Sequence, residues 1–240
     1  MKKNYFLTVS LLIFVVISSF AQKTDTCTWY IGGGGNFNSS WIVNQNTYGE
    51  PTMKYQFTPS YAANANIGYD FSNHWGVKME LGYALLGQKY NEPQYGLPAN
   101  RTIDLNYFLL PVMMKFRAGG KKTKFYAMAG PQLGYLLSAS QVYKRNGVDA
   151  PVFNNPEVGS IDVSQKSITD RYTSVVGCIR LDLGVEFTPS KHFMIDIGLC
   201  SAYSITDLNA LNWRLLNNHG HYNISHDFYG GLNLGLNYMF

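Results

Sequence analysis

The sequence predicts an all-β fold, an eight-stranded antiparallel up-and-down transmembrane β-barrel of the outer-membrane type. Apolar and polar side chains alternate along eight separate runs, which is the pattern of strands with two different faces. The connections between these runs alternate between long and short, as they do in barrels that cross a bilayer. The chain is rich in Tyr (18), Phe (14) and Gly (23) but only 14% charged, which suits a barrel in lipid.

The last run, residues 227–240 with the sequence DFYGGLNLGLNYMF, shows the alternation most fully. Leu232, Leu234 and Leu236 share one row with aromatic residues at both ends, whereas glycine and asparagine fill most of the other row. Aromatic rings favour the interface between lipid and water, so we expect this row to face outer-membrane lipid. The terminal Phe240 resembles the signal read by the barrel-insertion machinery, which we expect as a partner during biogenesis.

The N-terminal 21 residues have the pattern of a secretory signal peptide. A basic start and an apolar core over residues 6–20 precede a cleavage site after Ala21. An uncleaved transmembrane anchor is the alternative, but the apolar segment is shorter than the ~20 residues of a helical span. We therefore predict a signal peptide over residues 1–21 and a single outer-membrane β-barrel domain over residues 22–240, in a Gram-negative bacterium.

Net charge excludes one class of partner. Removing the signal peptide takes away two of the 19 basic residues and none of the 15 acidic ones, so the charge falls from +4 to +2. So small an excess argues against nucleic acid. The glycines at residues 32–35 are not followed by Lys and Ser or Thr, so they indicate close strand packing or a strong bend rather than a phosphate-binding loop.

The order of runs and connections predicts the orientation of the barrel. We expect the long connections outside the cell, and the tight turns and both termini in the periplasm. The predicted strands cover residues 27–37, 55–71, 75–90, 102–118, 123–141, 172–188, 192–206 and 227–240, and the long connections cover residues 38–54, 91–101, 142–171 and 207–226.

The fourth run contains an irregularity. Leu105 and Tyr107 are predicted to face outward and Asp104 inward, but the alternation changes parity after Pro111. A slip of one residue reverses the faces of a strand, and proline cannot donate to a ladder. We therefore predict a β-bulge at residues 109–111.

The polar rows are predicted to face the barrel axis. A soluble, lipocalin-like barrel would reverse the faces, but small residues mixed with opposite charges suit the narrow interior of eight strands. Opposite charges buried there are expected to pair and to block diffusion, because an unpaired buried charge is costly. Acid/base chemistry is the alternative use of such carboxylates. The predicted lumen charge network comprises Lys78, Glu80, Asp104, Lys115, Arg180, Asp182, Glu186 and Asp196.

Two cysteines fall on inward rows of adjacent strands. Across the turn at residues 189–191, Cys178 and Cys200 are predicted to lie within about one residue of register. Opposed antiparallel residues are within disulfide range, and export permits oxidation. A lumenal disulfide is one hypothesis, and two reduced thiols packed in the lumen are the other.

The last long connection contains three histidines. His219, His221 and His226 precede Asp227 in HGHYNISHD, and a third histidine beside His-x-His is a candidate metal or rim-sited catalytic arrangement. A solvated polar loop is the alternative. No Ser-His-Asp signature, nucleophile elbow or paired-Cys spacing is present, so we expect no enzyme, no cofactor and no metal site.

Several segments of the chain carry a family resemblance: the Ala21-Gln22 junction, LNYFLLPVMMKF (105–116), FYAMAGPQLGYLLSA (125–139), RLDLGVEF (180–187), and residues 196–209 with Ile205-Thr206-Asp207. In these segments the sequence resembles the PorT-type outer-membrane β-barrel proteins of Bacteroidetes-like bacteria, and the resemblance covers nearly the whole mature chain. It implies a non-enzymatic barrel with a structural, secretion or envelope-assembly role and a secretion-system or periplasmic partner. Its motifs describe architecture, so three alternatives stay open: surface binding or adhesion through loops such as residues 39–51, a narrow pore, and a rim-sited enzyme.

Overall fold

A computed structural model describes residues 27–44, 54–155, 159–217 and 219–240. The predicted signal peptide and its cleavage site lie outside these residues. Within them, no helix is long and apolar enough to cross a membrane. Helical structure there comprises two single turns of 3₁₀ helix, Thr169–Arg171 and Leu211–Trp213.

The described residues form eight long strands and four short ones. The strands are β1 (Thr28–Val43), β2 (Lys54–Gln56), β3 (Pro59–Asp70), β4 (Trp75–Gln94), β5 (Leu97–Gly119), β6 (Thr123–Arg145), β7 (Val148–Asp149), β8 (Val152–Asn155), β9 (Gly159–Asp162), β10 (Val175–Ser190), β11 (Phe193–Ser204) and β12 (His226–Met239).

The eight long strands close into a ring. Neighbours pair antiparallel in the order β1-β3-β4-β5-β6-β10-β11-β12, and β12 pairs with β1 to complete the circle. Closure leaves no unpaired sheet edge, which is what a sheet in hydrocarbon requires. The predicted eight-stranded antiparallel barrel is therefore confirmed.

The outward face carries the apolar band. Leu232, Leu234 and Leu236 are 58%, 58% and 56% exposed, so the lipocalin-like alternative, which buries this row, is wrong. On β12 the band runs from Phe228 to Tyr238, and ten residues of a tilted strand span roughly 25 Å of bilayer. Aromatic pairs flank the band at both ends: Trp75–Phe116 and Phe193–Tyr238 at one, Trp41–Phe228 and Tyr83–Phe108 at the other.

Short turns and long connections lie at opposite ends, as predicted, with one exception. The connection predicted over residues 91–101 is absent, because β4 and β5 continue to a turn of two residues, Tyr95 and Gly96. Their φ angles of 53° and 75° are those of a type I′ hairpin turn. Together with β6, these strands form a tall sheet. It extends well beyond the aromatic residues that flank the apolar band at the end opposite the short turns, such as Tyr83 and Phe108.

The predicted bulge at residues 109–111 is also wrong. Every odd-numbered residue of β5 from Leu105 to Lys115 is buried, so Leu105 and Tyr107 face inward and Asp104 faces outward. The irregularity instead lies in β6, where Asn106 pairs with Ser138 and Tyr107 with Leu136. The apparent change of parity has another cause. Beyond the membrane the outer surface of the strand meets water and its inner surface meets an apolar core, so the two rows exchange character without any slip.

This inversion predicts a labelling pattern in purified, folded protein. A cysteine introduced by Asp104→Cys should react rapidly with a bulky, water-soluble maleimide, because the side chain at 104 is exposed to water. A cysteine introduced by Leu105→Cys, the matched neighbour, should react only after denaturation. Both are made in a Cys27→Ser background, since Cys27 is exposed. Equal protection at the two positions would contradict the inward facing of Leu105 and the outward facing of Asp104.

Candidate functional site

The lumen within the membrane contains a network of buried ion pairs. Arg180 contacts Glu80 at 2.9 Å and Asp182 at 2.8 Å. Lys78 contacts the same Glu80 at 3.1 Å and Asp196 at 3.6 Å. Strands β4, β10 and β11 contribute these side chains, so the network connects opposite walls of the barrel.

A second group of ion pairs lies toward the short turns. Lys115 contacts Asp70 at 2.8 Å and Glu186 at 2.9 Å, and its ammonium lies 4.4 Å from the centre of the Tyr30 ring. Arg117 contacts Asp70 at 2.5 Å and donates hydrogen bonds to backbone carbonyls of the β3–β4 turn. This group fixes the turn to the lumen.

Seven of the eight residues predicted for the lumen network lie in these two groups. Asp104 does not, because it faces water on the outer surface of β5. Asp70 and Arg117 were missing from the predicted set, although both lie on the polar rows of their strands and that signal was available. The side chains of all nine network residues are less than 10% exposed, so the lumen at this level is filled by charge pairs.

Above the network, the lumen is lined mainly by apolar side chains, although polar side chains such as Gln88, Arg101 and Gln141 are buried among them. Inward residues of the tall sheet, such as Leu105 and Tyr107, pack with side chains from the β6–β10 connection. Phe153 of β8 and Ile161 of β9 belong to this cluster, and Phe153 contacts Tyr143 and Arg101 of the tall sheet, so the β8–β9 hairpin covers this layer as a cap at the end opposite the short turns. Reasoning from sequence missed this layer because it assigned the whole connection to a polar loop.

Asp227 lies at the boundary between the two layers. Its side chain is buried, lines a small cavity with Leu86, Leu109 and Val176, and has no ion-pair partner among the described residues. It differs in this respect from the carboxylates of the network, each of which contacts a cation.

The predicted Cys178–Cys200 disulfide is wrong. Cys178 pairs with Ser204 and Cys200 with Asp182, a difference of four residues in register. Four residues correspond to roughly 13 Å along a strand, well beyond disulfide range. The turn is centred later than predicted, because Ser190 pairs with Phe193, and the irregularity between Phe187 and Ser190 moves the pairing back by only one residue. Both thiols are reduced and buried, which is the other hypothesis.

The three histidines do not assemble a metal site. The His226 ring stacks on Tyr203, and its Nδ1 lies 2.8 Å from the Ser204 carbonyl oxygen. The backbone N–H groups of His219 and His221 donate to the side chain of Asn217, and both residues are exposed. In the described part of the chain, no three His, Cys, Asp or Glu side chains are placed to hold a metal ion.

Asp207 organises the long connection between β11 and β12. Its carboxylate accepts hydrogen bonds from the backbone of Asn209 and Ser225 and from the Tyr222 hydroxyl, and it pairs with Arg214 at 2.8 Å. Burial and this carboxylate raise the pKa of Tyr222 to about 12. The carboxylate therefore holds both ends of a connection that the sequence indicated only as polar.

The closed ring, the outward apolar band and the filled polar lumen define an integral outer-membrane β-barrel protein. The chain belongs to the outer membrane protein β-barrel domain family, whose model matches residues 20–209. This assigns the protein to the outer membrane of a Gram-negative bacterium and to a lipid environment. No curated protein sequence matches the chain significantly.

Solved structures of outer-membrane barrels are similar in chain trace. The attachment invasion locus protein Ail of Yersinia pestis is 14% identical, with 88% of this chain and 98% of Ail covered and a TM-score of 0.38. OprG of Pseudomonas aeruginosa is 10% identical, with coverages of 89% and 95% and a TM-score of 0.42. Neisserial surface protein A is 9% identical, with coverages of 89% and 99% and the same TM-score of 0.42.

The ion-pair network predicts unequal effects of two substitutions in the lumen. Arg180→Met leaves Glu80 and Asp182 without their shared cation and should lower the free energy of unfolding by about 3–5 kcal/mol. Asp227→Asn, which removes an unpaired carboxylate, should leave stability unchanged or raise it. Unfolding by urea in lipid vesicles, followed by tryptophan fluorescence, measures both. A loss below about 1 kcal/mol for Arg180→Met would mean that the network does not stabilise the barrel.

The Asp207–Tyr222 contact predicts a change at high pH. Because the pKa of Tyr222 is raised from 10.0 to about 12 in the folded loop, its contribution is complete below pH 10 and is lost as pH rises through 12. Absorbance titration of tyrosinate should show one group near 12 that is absent in Tyr222→Phe. The fluorescence of nearby Trp213 should change over the same pH window in the wild type only.

Proposed function

We propose that this protein is a closed, non-enzymatic outer-membrane barrel with a structural or envelope/secretion-assembly role, resembling PorT-type proteins. The observation that carries the proposal is the filled lumen. Ion pairs occupy it within the membrane, and the apolar layer with the β8–β9 hairpin occupies it above. A barrel filled at two levels is suited to act through its surfaces rather than through its interior.

The charge pairs argue against a pore. A permeating ion would have to displace contacts such as Arg180–Glu80 and Lys115–Glu186 and then cross the mainly apolar layer above them. Each broken pair leaves a charge unpaired in a confined space, which is costly. We therefore propose that steady conductance is absent.

The orientation follows the loop rule of outer-membrane barrels. Both ends of the ring, Thr28 and Met239, lie at the end with the short turns. We propose that this end faces the periplasm and that the tall sheet, the cap and the β11–β12 connection face outward. An assembly partner would then meet either the short periplasmic turns or the outer surface.

Surface binding or adhesion is the second candidate function, and the tall sheet favours it. The exposed side chains of Tyr95, Leu97 and Val148 form its tip. Below the tip, a cleft of about 200 Å³ lies beside Tyr143 and the Asp149–Lys166 ion pair. In the loop expected to bind, residues 39–51, the first five residues belong to β1, and residues 45–51 lie outside the described residues.

Co-purification from native outer membrane separates the two roles. A stable partner retained by the wild type and by a tip variant (Tyr95→Ser, Leu97→Ser and Val148→Ser together) would support assembly through another surface. A cell-surface ligand lost only in the tip variant would favour binding. If neither partner nor ligand is recovered and the purified barrel shows steady conductance in planar bilayers, the proposal of a closed assembly protein is wrong.

A further inference from the structure

The exposed charges at the two ends of the barrel differ in kind. At the end with the short turns, the exposed charged side chains among the described residues are all lysines: Lys121, Lys122 and Lys191. The acidic residues near this end, such as Asp70 and Glu186, are buried in the lumen and paired with cations. At the other end, exposed carboxylates such as Asp162 accompany the lysines. The short-turn end is thus the basic one.

These lysines lie at the boundary of the apolar band. Lys191 comes two residues before Phe193, and Lys122 comes three residues before Phe125, both of which are exposed aromatic residues of the band. His192 stacks on Tyr238 with ring centres 5.6 Å apart, which fixes this turn against the aromatic residues. Aromatic residues of this kind mark the level of the lipid headgroups, and a lysine side chain extends from there to the phosphates.

We propose that Lys121, Lys122 and Lys191 form a binding surface for the phosphates of anionic phospholipids in the leaflet that surrounds the short turns. Three features select a lipid as the occupant: the position at the headgroup level, the single sign of charge, and the continuity with the lipid-facing band. The compact lysine ammonium suits a phosphate that presents many orientations. Under the proposed orientation this is the periplasmic leaflet, so the identity of the leaflet rests on the proposed function, whereas the lipid preference does not.

Tryptophan quenching by brominated lipid tests this surface locally. Trp75 lies at the short-turn end and is 41% exposed, whereas Trp41 lies at the opposite end of the band. Single-tryptophan proteins retaining either Trp75 or Trp41 are inserted into phosphatidylcholine vesicles with increasing phosphatidylglycerol, and either lipid carries the bromine. Because one lysine near an anionic surface contributes roughly fivefold in affinity, we expect at least that preference for phosphatidylglycerol at Trp75 and none at Trp41.

Substitution of the lysines tests whether they cause the lipid preference, and a lysine at the opposite end serves as the control. Lys121→Gln, Lys122→Gln and Lys191→Gln combined should abolish the preference at Trp75, and high salt should weaken it in the wild type. Lys144→Gln, at an exposed lysine of the opposite end, should leave it unchanged. Circular dichroism and heat-dependent gel migration verify that each variant is folded.

Other outcomes would overturn the proposal in distinct ways. Equal quenching by the two lipids at Trp75, or a preference that survives the triple substitution, would show that the lysines do not select lipid. If the triple variant keeps its lipid preference but loses an acidic protein that co-purifies with the wild type, the surface binds protein instead. Absence of quenching by either lipid would contradict the membrane setting itself, whereas loss of an assembly role alone would leave the quenching unaltered.

Discussion

The structure depends on one constraint: a ring of eight strands must present apolar side chains to lipid on its outside, while side chains fill its narrow interior. In hydrocarbon every backbone group has to be paired within the protein, which requires the closure of β12 on β1 and of β6 on β10. Eight strands leave space for side chains only. Polar side chains placed there must therefore contact one another, and Arg180, Glu80 and Asp182 do so on facing walls.

The same constraint explains which parts of the fold could be predicted. Inside the membrane, lipid and a polar lumen impose opposite demands on the two rows, so the alternation of β12 or of the first half of β4 gives the facing of each residue. Beyond the membrane the environment of both rows changes at the same level: the outward row meets water, and the inward row meets an apolar core. Leu105 and Asp104 show the consequence, because the same alternation continues along a regular strand with the opposite meaning. Aromatic residues such as Tyr83 and Phe108 mark the level at which lipid ends only once the strands are paired, so in the sequence alone this inversion resembles a slip in register.

For the candidate site, the strand register and the packing of the long connections were the features that the sequence did not predict. The charges of the network were identifiable by row alone, since any two inward charges at one level of so narrow a barrel can meet. A disulfide needs the register of individual residues, and a turn centred later than predicted is enough to separate Cys178 from Cys200. The cap and the Asp207 contacts join residues distant in sequence within polar segments, where no periodicity indicates what packs against what.

A filled lumen also determines where any function of this barrel must lie. Contacts that stiffen the interior leave the two ends as the surfaces able to meet another molecule, and these ends are chemically different. The end opposite the short turns presents a tall sheet, a cap and charges of both signs, which suits selective recognition of a particular partner. The short-turn end presents lysines beside aromatic residues at the level of the headgroups. A barrel held by lipid phosphates at one end keeps the other end at a fixed height above the membrane. The basic turns and the tall sheet would therefore support the same role, the selective recognition of a partner.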